Sequence, residues 1–451
     1  MLLKPFDLLL KEKVKTFHKS IEVDSDKSIS IRSFLIGAIS QKISFTRNVL
    51  ESDDVISTIT CLRKLGVKIK KIKSNCYKIY GNGLGSLVGG KNIKLNFGNS
   101  GTLSRLLIGI LASTPNVELR IGGDSSLNRR SMKKLIDLMS EFGATFLPKK
   151  KINFPLKIIS SISPVGINYY AGVSAQLKSA VILAGLNSYG KTNIIEKEKS
   201  RDHTENMLLV NSKAIVIKKQ NKKKIIKISG KSQLNPIDIQ VPGDPSSAAF
   251  FVALTLLNKN SSIKIKNVGL NKTRLGFYDI LKKQRAKIKF KNLKKINNEI
   301  RGDIIVNSCK IKPINVHKSF YVSSTDEYPI LFVMAALANG ISSFKGIGDL
   351  VNKESNRITE MQKVLRQIGV KSKFSDGTLN IYGKGNIDAS NKKINVPNLG
   401  DHRICMSSFI LAVLTGAKLR IKNFETVYTS SPSFLKIIKS LGVKFEIKKK
   451  S

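Results

Sequence analysis

One structural unit recurs six times along the 451-residue chain. In each copy a segment with helical periodicity ends in a turn, and an alternating, strand-like segment follows it. Four of the turns are Gly-Val or Gly-Ala, in which the glycine suits the left-handed residue that often follows a helix. The turn residues are Gly66, Gly143, Lys213, Arg285, Gly369 and Gly442. Because they recur every 70 to 84 residues, we predict six units of similar structure.

A second kind of helix alternates with the first and is almost entirely apolar. These segments are residues 103–111, 180–186, 247–256, 329–338 and 406–414. A helix that is apolar on every side is buried. We therefore expect an α/β fold in which each unit places one helix inside and one amphipathic helix outside, together with several short strands.

The chain is expected to form two domains of three units each. A Lys- and Asn-rich stretch at residues 220–234, followed by Val241-Pro-Gly-Asp244, marks the best crossing between the halves. The first domain is then 24–240, and the second is 1–23 together with 241–451. We expect the first ~20 residues to form a strand of the second domain, because chain ends often lie close together.

The charge balance points to anionic ligands. Against 31 Asp and Glu the chain has 78 Lys and Arg, a formal charge of +47, which attracts polyanions from nucleic acids to phosphorylated metabolites. The Lys residues are spread evenly among Ile and Asn, and there is no Trp. A nucleic-acid-binding protein would be expected to cluster its charge with exposed aromatic residues. A compositional bias with solvated faces explains the charge better.

Cysteine usage and hydropathy predict a cytoplasmic protein. The four cysteines are far apart and lack metal-binding spacing, so we expect neither disulfides nor a metal site. Residues 1–23 are interrupted by charges and lack a cleavage pattern, which argues against a secretory signal. The longest apolar runs are shorter than the roughly 20 residues that cross a bilayer.

Polar residues at helix starts in the first half suggest sites for anions. The turn 97–102 leads into an apolar helix that contains Arg105, and free N–H groups at such a start favour phosphate or carboxylate. Lys27, Ser28 and Arg32 mark another start. Arg129 and Arg130 are predicted to open the helix that ends at Phe142, a costly position for cations unless an anion binds there. The alternative for the turn 97–102 is an ordinary Asn or Ser N-cap with a flexible glycine, and the alternative for the start at Lys27 is a capped surface helix with its basic residues in water.

The same half contains two further helix starts. The segment from Ser174 to Ser179 precedes the third apolar helix, and the segment from Ser200 to Glu205 precedes an amphipathic one. For the second segment the alternative is a capping box formed by Ser200, His203 and Glu205, which is compatible with a functional role.

Carboxylates close to Lys occur only in the second half. Asp326 and Glu327 precede a fully apolar helix, where dipole stabilisation alone would explain them. Lys353, Glu354 and Arg357 are predicted to share one helical turn. One half would therefore bind anions, while the other would also transfer protons.

A lone histidine also lies in the second half. His402 and Arg403 precede the last apolar helix. A capping or core histidine is the alternative to a functional role for His402.

Nine segments, in this order and spacing, resemble the 5-enolpyruvylshikimate-3-phosphate synthase (3-phosphoshikimate 1-carboxyvinyltransferase) family. They are DKSISIR, GNSGTLSR, GDSSLNRRSM, SAQLKSAVILAGL, SRDHTENML, VPGDPSSAAFF, the DE before YP, NKESNRITEM and DHRICM. The resemblance runs from about residue 26 to residue 442. It implies a two-domain inside-out α/β barrel, three βαβαββ units per domain, with a cleft that closes on its ligands.

The resemblance implies transfer of the carboxyvinyl group of phosphoenolpyruvate to the 5-hydroxyl of 3-phosphoshikimate, on the shikimate pathway to chorismate and aromatic amino acids. Phosphate is released through a tetrahedral intermediate, and no metal or organic cofactor is needed. The enzyme would be a cytoplasmic monomer with two small-molecule substrates and with neither nucleic acid nor membrane as a partner. Because both substrates are anionic, several Arg and Lys are required to bring them together.

Residue roles follow position by position from the resemblance. The 3-phosphoshikimate site would be formed by Lys27, Ser28, Arg32, Ser174, Ala175, Gln176, Arg201, Asp326 and Lys353. The phosphoenolpyruvate site would be formed by Lys27, Gly101, Arg130, Gln176, Arg357 and Arg403. The catalytic residues would be Asp326, which accepts the 5-hydroxyl proton, Glu354, which exchanges protons at the methylene carbon, and Lys27.

Several positions depart from the family pattern. Ser131 replaces a common proline after Arg130, while Asn352 and Asn356 replace an Arg and an Asp, so the surroundings of the phosphoenolpyruvate pocket are expected to differ.

Two alternatives remain. The related UDP-N-acetylglucosamine enolpyruvyl transferases carry a catalytic cysteine or aspartate in a loop, whereas residues 122–132 contain no cysteine. A basic nucleic-acid-binding repeat protein would explain the charge but leave the carboxylate and Lys clusters without a role. Salt-dependent binding to random DNA would favour that second alternative.

Overall fold

The computed structural model describes residues 5–221 and 223–449. Within these residues the strands are β1 (Phe6–Leu10), β2 (His18–Glu22), β3 (Gln41–Arg47), β4 (Lys68–Lys73), β5 (Cys76–Asn82), β6 (Lys94–Asn96), β7 (Glu118–Gly122), β8 (Thr145–Leu147), β9 (Leu156–Ile159), β10 (Asn168–Ala171), β11 (Lys191–Glu196), β12 (Ile215–Gln220), β13 (Lys223–Ser229), β14 (Asp238–Gln240), β15 (Ser262–Gly269), β16 (Ile288–Ile296), β17 (Glu299–Asn307), β18 (Asn315–Val316), β19 (Asn339–Phe344), β20 (Lys371–Ser375), β21 (Thr378–Lys384), β22 (Lys393–Val396), β23 (Lys418–Ile421) and β24 (Phe445–Lys449).

The helices in the same residues are α1 (Lys27–Ile39), α2 (Asp53–Lys64), α3 (Gly101–Ser113), α4 (Ser125–Arg129), α5 (Lys133–Glu141), α6 (Ala175–Leu186), α7 (His203–Asn211), α8 (Pro245–Leu257), α9 (Gly276–Lys283), α10 (Tyr321–Ser324), α11 (Tyr328–Ala336), α12 (Arg357–Gln367), α13 (His402–Thr415) and α14 (Phe434–Ser440). Four short 3-10 helices lie at Lys272–Arg274, Lys318–Phe320, Gly348–Asn352 and Phe424–Thr429. No helix in the described part of the chain is both long enough and apolar enough to cross a membrane.

The chain divides into two compact units. Unit 1 comprises Met1–Asp24, Pro242–Lys294 and Ile300–Ser451, and unit 2 comprises Ser25–Val241 and Lys295–Glu299. The chain therefore leaves unit 1 after β2 and returns to it after β14.

Each unit contains three four-stranded sheets. Unit 2 has the strand orders β14-β3-β5-β4, β6-β7-β9-β8 and β10-β11-β13-β12, and unit 1 has β2-β15-β17-β16, β18-β19-β21-β20 and β22-β23-β1-β24. In every sheet the first two strands are parallel, and the second and third are antiparallel. Four of these parallel pairs are joined by helical crossovers, as parallel strands require, and the elements around the six sheets repeat a βαβαββ motif. The prediction of six similar units is confirmed.

In two of the six motifs, the first strand lies in one unit and the helix that follows it lies in the other unit. Strand β2 pairs with β15 in unit 1, although the next helix, α1, lies in unit 2. Likewise β14 pairs with β3 in unit 2, although α8 follows it in unit 1. Strand β1 completes the last sheet between β23 and β24.

Six helices lie inside the units, namely α1, α3 and α6 in unit 2 and α8, α11 and α13 in unit 1. Helices α8 and α11 contain no charged residue, and nearly all their side chains are buried. The apolar surfaces of the six helices form two separate hydrophobic cores, one in each unit. Buried charged side chains also occur in these helices, and Lys178 of α6 has no exposed surface.

Helix-end turns follow the predicted repeat at five of the six positions. Gly66, Gly143, Gly369 and Gly442 have φ between 81° and 93°, the left-handed region in which glycine is favoured. In the fourth copy Arg285 adopts φ 61°. In the third copy, α7 ends at Asn211 and the chain continues through an extended residue instead.

Helices α3 and α6 approach closely because Gly109 lacks a side chain. A Cβ at this position would lie 2.5 Å from the carbonyl oxygen of Ala180 and 2.8 Å from its Cα. Both neighbours are backbone atoms, so the clash that a Cβ would create is relieved only if the two helices move apart.

We predict that Gly109→Ala lowers the stability of the protein by about 1–3 kcal/mol, the usual cost of overpacking a core. The matched control is Gly172→Ala, because no heavy atom lies within 4 Å of a Cβ built there. The midpoints of urea unfolding compare the two variants. An unchanged midpoint for Gly109→Ala would contradict the close helix contact.

Candidate active site

The start of α1 in unit 2 combines a capped helix terminus with a lysine. Asp26 caps the helix, since its Oδ1 accepts a hydrogen bond from the backbone N–H of Ile29 at 2.9 Å. Lys27 Nζ lies 3.0 Å from Asp54 Oδ2. Ser28 is partly exposed. Free N–H groups at the terminus and the neighbouring Lys27 together favour an anion.

Arg32 lies one turn further along α1 and is only 4% exposed. Its Nε donates to Thr204 Oγ1 at 2.8 Å, and its Nη1 donates to the carbonyl oxygen of Ser28 at 3.0 Å. A third bond runs from Nη2 to Ser179 Oγ at 3.3 Å. These contacts from three helices fix the orientation of the guanidinium group.

A second group of predicted residues meets at the start of α3. A Cβ at Gly101 would lie 2.7 Å from Arg105 Nη1 and 3.3 Å from Arg130 Nη1, so glycine allows both guanidinium groups to approach the helix. Gln176 Nε2 donates to Thr102 Oγ1 at 3.0 Å. The structure therefore brings Gly101, Arg130 and Gln176 together in unit 2.

The prediction that Arg129 and Arg130 open the helix ending at Phe142 was wrong. Asp124 caps an earlier, short helix, α4, whose last residue is Arg129. Arg130 follows as its C-cap, and α5 begins only at Lys133. A cation at a helix C-terminus interacts favourably with the dipole, so no stability is sacrificed there.

Contacts nevertheless direct the Arg130 side chain toward α3. Its Nη2 donates to Ser126 Oγ at 3.3 Å and also contacts Asn99 Oδ1. Its Nε is buried and finds no hydrogen-bond partner in the described residues. A buried donor without a protein partner suits an anionic ligand.

Ser174 and Arg201 flank two further helix starts in unit 2. Ser174 caps α6 by accepting from the backbone N–H of Leu177 at 3.3 Å. Ala175 is the first residue of that helix. Arg201 is partly exposed and immediately precedes the N-cap of α7, Asp202.

The alternative capping box at α7 was wrong. The N-cap is Asp202 rather than Ser200, and it forms no side-chain capping bond. Ser200 instead donates its hydroxyl to Glu196 at 2.7 Å, and Glu205 pairs with Lys178. The side chains of Ser200 and Glu205 therefore contact Glu196 and Lys178 and do not form a capping box.

In unit 1, Arg357 connects the predicted carboxylates. Its Nη2 lies 2.7 Å from Glu354 Oε2, its Nη1 lies 3.6 Å from Asp326 Oδ1, and its Nε lies 3.0 Å from Asp401 Oδ2. The residue is 1% exposed. Burial lowers its pKa, but Asp401, Glu354 and Asp326 outweigh burial and raise the pKa above its usual value. Arg357 therefore orients both candidate catalytic carboxylates.

The helix start beside them differs from prediction in one respect. Lys353 and Glu354 precede α12, which begins at Arg357, so the three residues do not share one helical turn. Asn356 caps α12 by accepting from the backbone N–H of Thr359 at 3.1 Å. Asn is as good a cap as Asp, so Asn356 serves as an effective cap at this position.

Lys353 is held by two neighbours that the sequence analysis did not find. Its Nζ lies 3.4 Å from Asp349 Oδ2 and 5.8 Å from the ring centroid of Tyr321. The Tyr321 hydroxyl donates to the same carboxylate at 3.1 Å. Asp349 thus connects Lys353 with Tyr321.

Asp326 and Glu327 lie at the start of the apolar helix α11. Glu327 is its N-cap residue and is buried, and its Oε1 accepts from the Ser246 hydroxyl. Asp326 remains partly exposed beside it. The two neighbouring carboxylates therefore have different surroundings.

At the start of α13, His402 and Arg403 have different roles. His402 is buried, and its Nε2 lies 3.0 Å from Ser430 Oγ, as for a satisfied core histidine. Arg403 is 4% exposed and lies above the ring of Phe250, 5.9 Å from its centroid. Its Nε and Nη1 have no hydrogen-bond partner within the described residues. A buried guanidinium with donors to spare is suited to an anion.

Comparison with models of protein families matches residues 11–438 to EPSP synthase (3-phosphoshikimate 1-carboxyvinyltransferase). The chain belongs to the EPSP synthase family. The matched region includes every predicted site residue, from Lys27 to Arg403.

Relatives of similar length support the same membership. The chain is 36% identical to the 3-phosphoshikimate 1-carboxyvinyltransferase of Zymomonas mobilis subsp. mobilis over 442 residues, covering 97% of each chain. It is also 36% identical to the enzyme of the same name from Bacillus subtilis over 435 residues, 96% of this chain and 99% of that one.

Solved structures agree on the fold. An EPSP synthase from Acinetobacter baumannii superimposes with a TM-score of 0.83 and 32% identity, over 99% of this chain and 100% of that chain. The enolpyruvyl transferase NikO from Streptomyces tendae gives a TM-score of 0.75 at 13% identity and shares the fold. The prediction of a two-domain inside-out α/β barrel is confirmed.

The EPSP synthase motifs contain most of the residues described above in units 1 and 2. The sequence analysis did not identify some of the residues that pair with them. Asp349 and Asp401 lie within the aligned region without having been assigned roles, and their links to Lys353 and Arg357 appear only in three dimensions. The position of Asp401 directly before a buried helix that contains Arg403 was the available signal.

We predict that Asp401→Asn destabilises the protein by about 3 kcal/mol, since it removes the only fully buried carboxylate of the three that pair with Arg357 in the described residues. Asparagine still caps α13, so the change isolates the charge. The control is Asp376→Asn, in an exposed turn with φ 50°, which asparagine tolerates. Equal unfolding midpoints for the two variants would show that the ion pair between Asp401 and Arg357 does not stabilise the protein.

Proposed function

We propose that the protein transfers the carboxyvinyl group of phosphoenolpyruvate to the 5-hydroxyl of 3-phosphoshikimate, giving 5-enolpyruvylshikimate 3-phosphate and phosphate. The observation that carries the proposal is the family match over residues 11–438. The arrangement of basic groups in unit 2 and of carboxylates around one arginine in unit 1 provides physical support. This activity lies on the shikimate pathway to chorismate and the aromatic amino acids.

Unit 2 mainly binds 3-phosphoshikimate in this proposal. The substrate is bound at the starts of α1 and α6, by Ser28, Arg32, Ser174, Ala175 and Gln176. Lys27 and Arg201 add positive charge. The oriented guanidinium of Arg32 supports this assignment, because bidentate recognition of phosphate requires a fixed plane.

Phosphoenolpyruvate is bound by Lys27 and Gln176 together with Gly101, Arg130, Arg357 and Arg403. The unpaired buried donors of Arg130 and Arg403 support this assignment, because an anion satisfies both their charge and their hydrogen-bonding capacity. Gly101 lets guanidinium groups approach the helix start where the ligand binds.

Unit 1 supplies the acid and the base. Asp326 accepts the proton of the 5-hydroxyl as that oxygen attacks C2 of phosphoenolpyruvate, and Glu354 donates a proton to C3, which becomes a methyl group. Phosphate then leaves from C2 while Glu354 takes a proton back from the methyl group, restoring the double bond. Lys353 contacts the 5-hydroxyl, and Lys27 balances charge that develops on the ligands.

Arg357 supports this division of roles through its two contacts. It holds Glu354 at 2.7 Å and Asp326 at 3.6 Å, so one rigid, permanently charged group sets the position of both carboxylates. When an anionic substrate binds Arg357, it competes with those carboxylates for the same donors. Substrate binding would thereby release them for proton transfer.

The proposed enzyme acts as a cytoplasmic monomer without a metal or organic cofactor. The free thiols at Cys61, Cys76, Cys309 and Cys405 fit a reducing compartment.

The purified protein is expected to release phosphate from phosphoenolpyruvate with 3-phosphoshikimate and not with UDP-N-acetylglucosamine. A colorimetric phosphate assay with each acceptor at equal concentration tests this. Release with only the nucleotide sugar would assign the protein to the related enolpyruvyl transferases. Release with neither would contradict the proposal altogether.

The Asp326→Asn and Glu354→Gln variants are each expected to lower kcat by about 10²–10⁴, the usual contribution of a general acid or base. Binding of 3-phosphoshikimate, measured by calorimetry, should remain close to that of the unmodified protein. Glu360→Gln in α12 is the control, because its carboxylate pairs only locally with Lys363 at 2.8 Å. Parallel losses of binding and turnover would contradict the roles assigned to both carboxylates.

A further inference from the structure

A cluster of four charged side chains in unit 2 connects α6, β11, α7 and β13. Lys178 Nζ lies 2.7 Å from Glu196 Oε1 and 2.8 Å from Glu205 Oε1. Lys224 Nζ lies 3.3 Å from Glu205 Oε1 and 3.7 Å from Glu196 Oε2. The side chains of Lys178 and Glu205 have no exposed surface, and that of Glu196 is 1% exposed.

The central pair of the cluster, Lys178 and Glu205, remains ionised although both side chains are buried. Burial lowers the pKa of Lys178, but the attraction of Glu205 and Glu196 outweighs burial and raises the pKa above its usual value. For Glu205, burial raises the pKa, and Lys178 and Lys224 reverse the effect to leave it lowered. Two positive and two negative groups balance, so the cluster has no formal net charge.

Stability alone gives a weak reason for such a cluster. Replacing a buried ion pair with well-packed apolar side chains is often neutral or even stabilising. Lys178 lies in a helix that is otherwise nearly all apolar, where leucine or methionine would fit the pattern. The geometry that the ion pairs impose on neighbouring residues offers a better reason.

The residues next to the cluster in sequence hold Arg32. Ser179 follows Lys178, and Thr204 precedes Glu205. Their hydroxyl oxygens lie 2.8 Å apart, and both accept hydrogen bonds from Arg32. The ion pair between α6 and α7 therefore lies directly beside the two hydroxyl groups that orient the guanidinium.

A second connection runs to Arg201. Glu196 Oε1 accepts both the backbone N–H of Ser200, at 2.9 Å, and its hydroxyl, at 2.7 Å. Ser200 immediately precedes Arg201. Glu196 thus anchors the segment that brings Arg201 to the start of α7, while the same carboxylate is itself held by Lys178.

We propose that Lys178, Glu196 and Glu205 are positioning residues that set the two arginines of the 3-phosphoshikimate site, Arg32 and Arg201, at the correct spacing for that ligand. They do not touch the substrate, and they act through Ser179, Thr204 and Ser200. This inference rests on the proposed function, because it takes 3-phosphoshikimate as the ligand of unit 2.

The double variant Lys178→Met with Glu205→Gln tests the inference. It removes one charge of each sign, so Glu196 and Lys224 still balance, and folding is retained more readily than after a single change. The stability control is Leu183→Ala, a buried apolar position of the same helix. Thermal unfolding of the full chain shows how far each change lowers Tm.

Calorimetric titration with 3-phosphoshikimate, without phosphoenolpyruvate, measures binding independently of turnover. We expect the double variant to bind at least tenfold more weakly, as for loss of one well-placed contact. Its KM for phosphoenolpyruvate should change by less than about threefold, and Leu183→Ala should bind within about twofold of the unmodified protein.

Two results would overturn the inference while leaving the proposed function intact. One is binding by the double variant as tight as that of the unmodified protein. The other is an equal loss of binding by Leu183→Ala at the same loss of Tm, which would show a general effect of stability. Failure of the unmodified protein to bind 3-phosphoshikimate would contradict the proposed function itself.

Discussion

Burying helices inside each unit brings the positive ends of their dipoles into the protein, and the two units accommodate these ends differently. In unit 1 the residues preceding α8, α11 and α13 are the acids Asp244, Glu327 and Asp401. Of the three buried helices described in unit 2, only α1 begins after an acid, Asp26, since Ser100 and Ser174 cap α3 and α6. Unit 2 therefore retains helix starts that favour an external anion.

The acids of unit 1 create a need for cations, and buried arginines meet it. Asp244 lies 3.0 Å from Arg274, and Asp401 lies 3.0 Å from Arg357. Because Arg357 also contacts Glu354 and Asp326, the structural pairing of Asp401 is connected with the proposed chemistry. One ion network thus stabilises a helix start and orients two carboxylates, so a change to either affects both.

The sequence predicts the parts of the fold that depend on local patterns. The left-handed turns at Gly66, Gly143, Gly369 and Gly442 and the apolar helices follow from residue type and periodicity, which the tertiary structure does not override. The break between α4 and α5 was missed, because it depends on a contact between the backbone N–H of Met132 and the carbonyl oxygen of Ile152. Such a contact between distant residues leaves no periodic signal.

For the candidate site, too, the sequence predicts individual residues but not the contacts between residues that are distant in sequence. Lys27, Glu354 and Arg403 were identified from motifs, whereas the partners that hold the charged groups were not. Lys178 is 18 residues from Glu196, and Arg357 is 44 residues from Asp401, so these pairs form only when the units fold. Glu205 likewise pairs with Lys178 and does not form the capping box that was the alternative for this segment.

The most direct test of the proposed chemistry is proton NMR of phosphoenolpyruvate and 3-phosphoshikimate reacting with the protein in D₂O. If Glu354 protonates C3 and later removes a proton from the resulting methyl group, deuterium must enter the methylene group of the enol ether product. Vinyl signals of 5-enolpyruvylshikimate 3-phosphate with partial loss of proton intensity are therefore expected. Either no enol ether, or an enol ether with both methylene protons fully retained, would contradict the addition and elimination account.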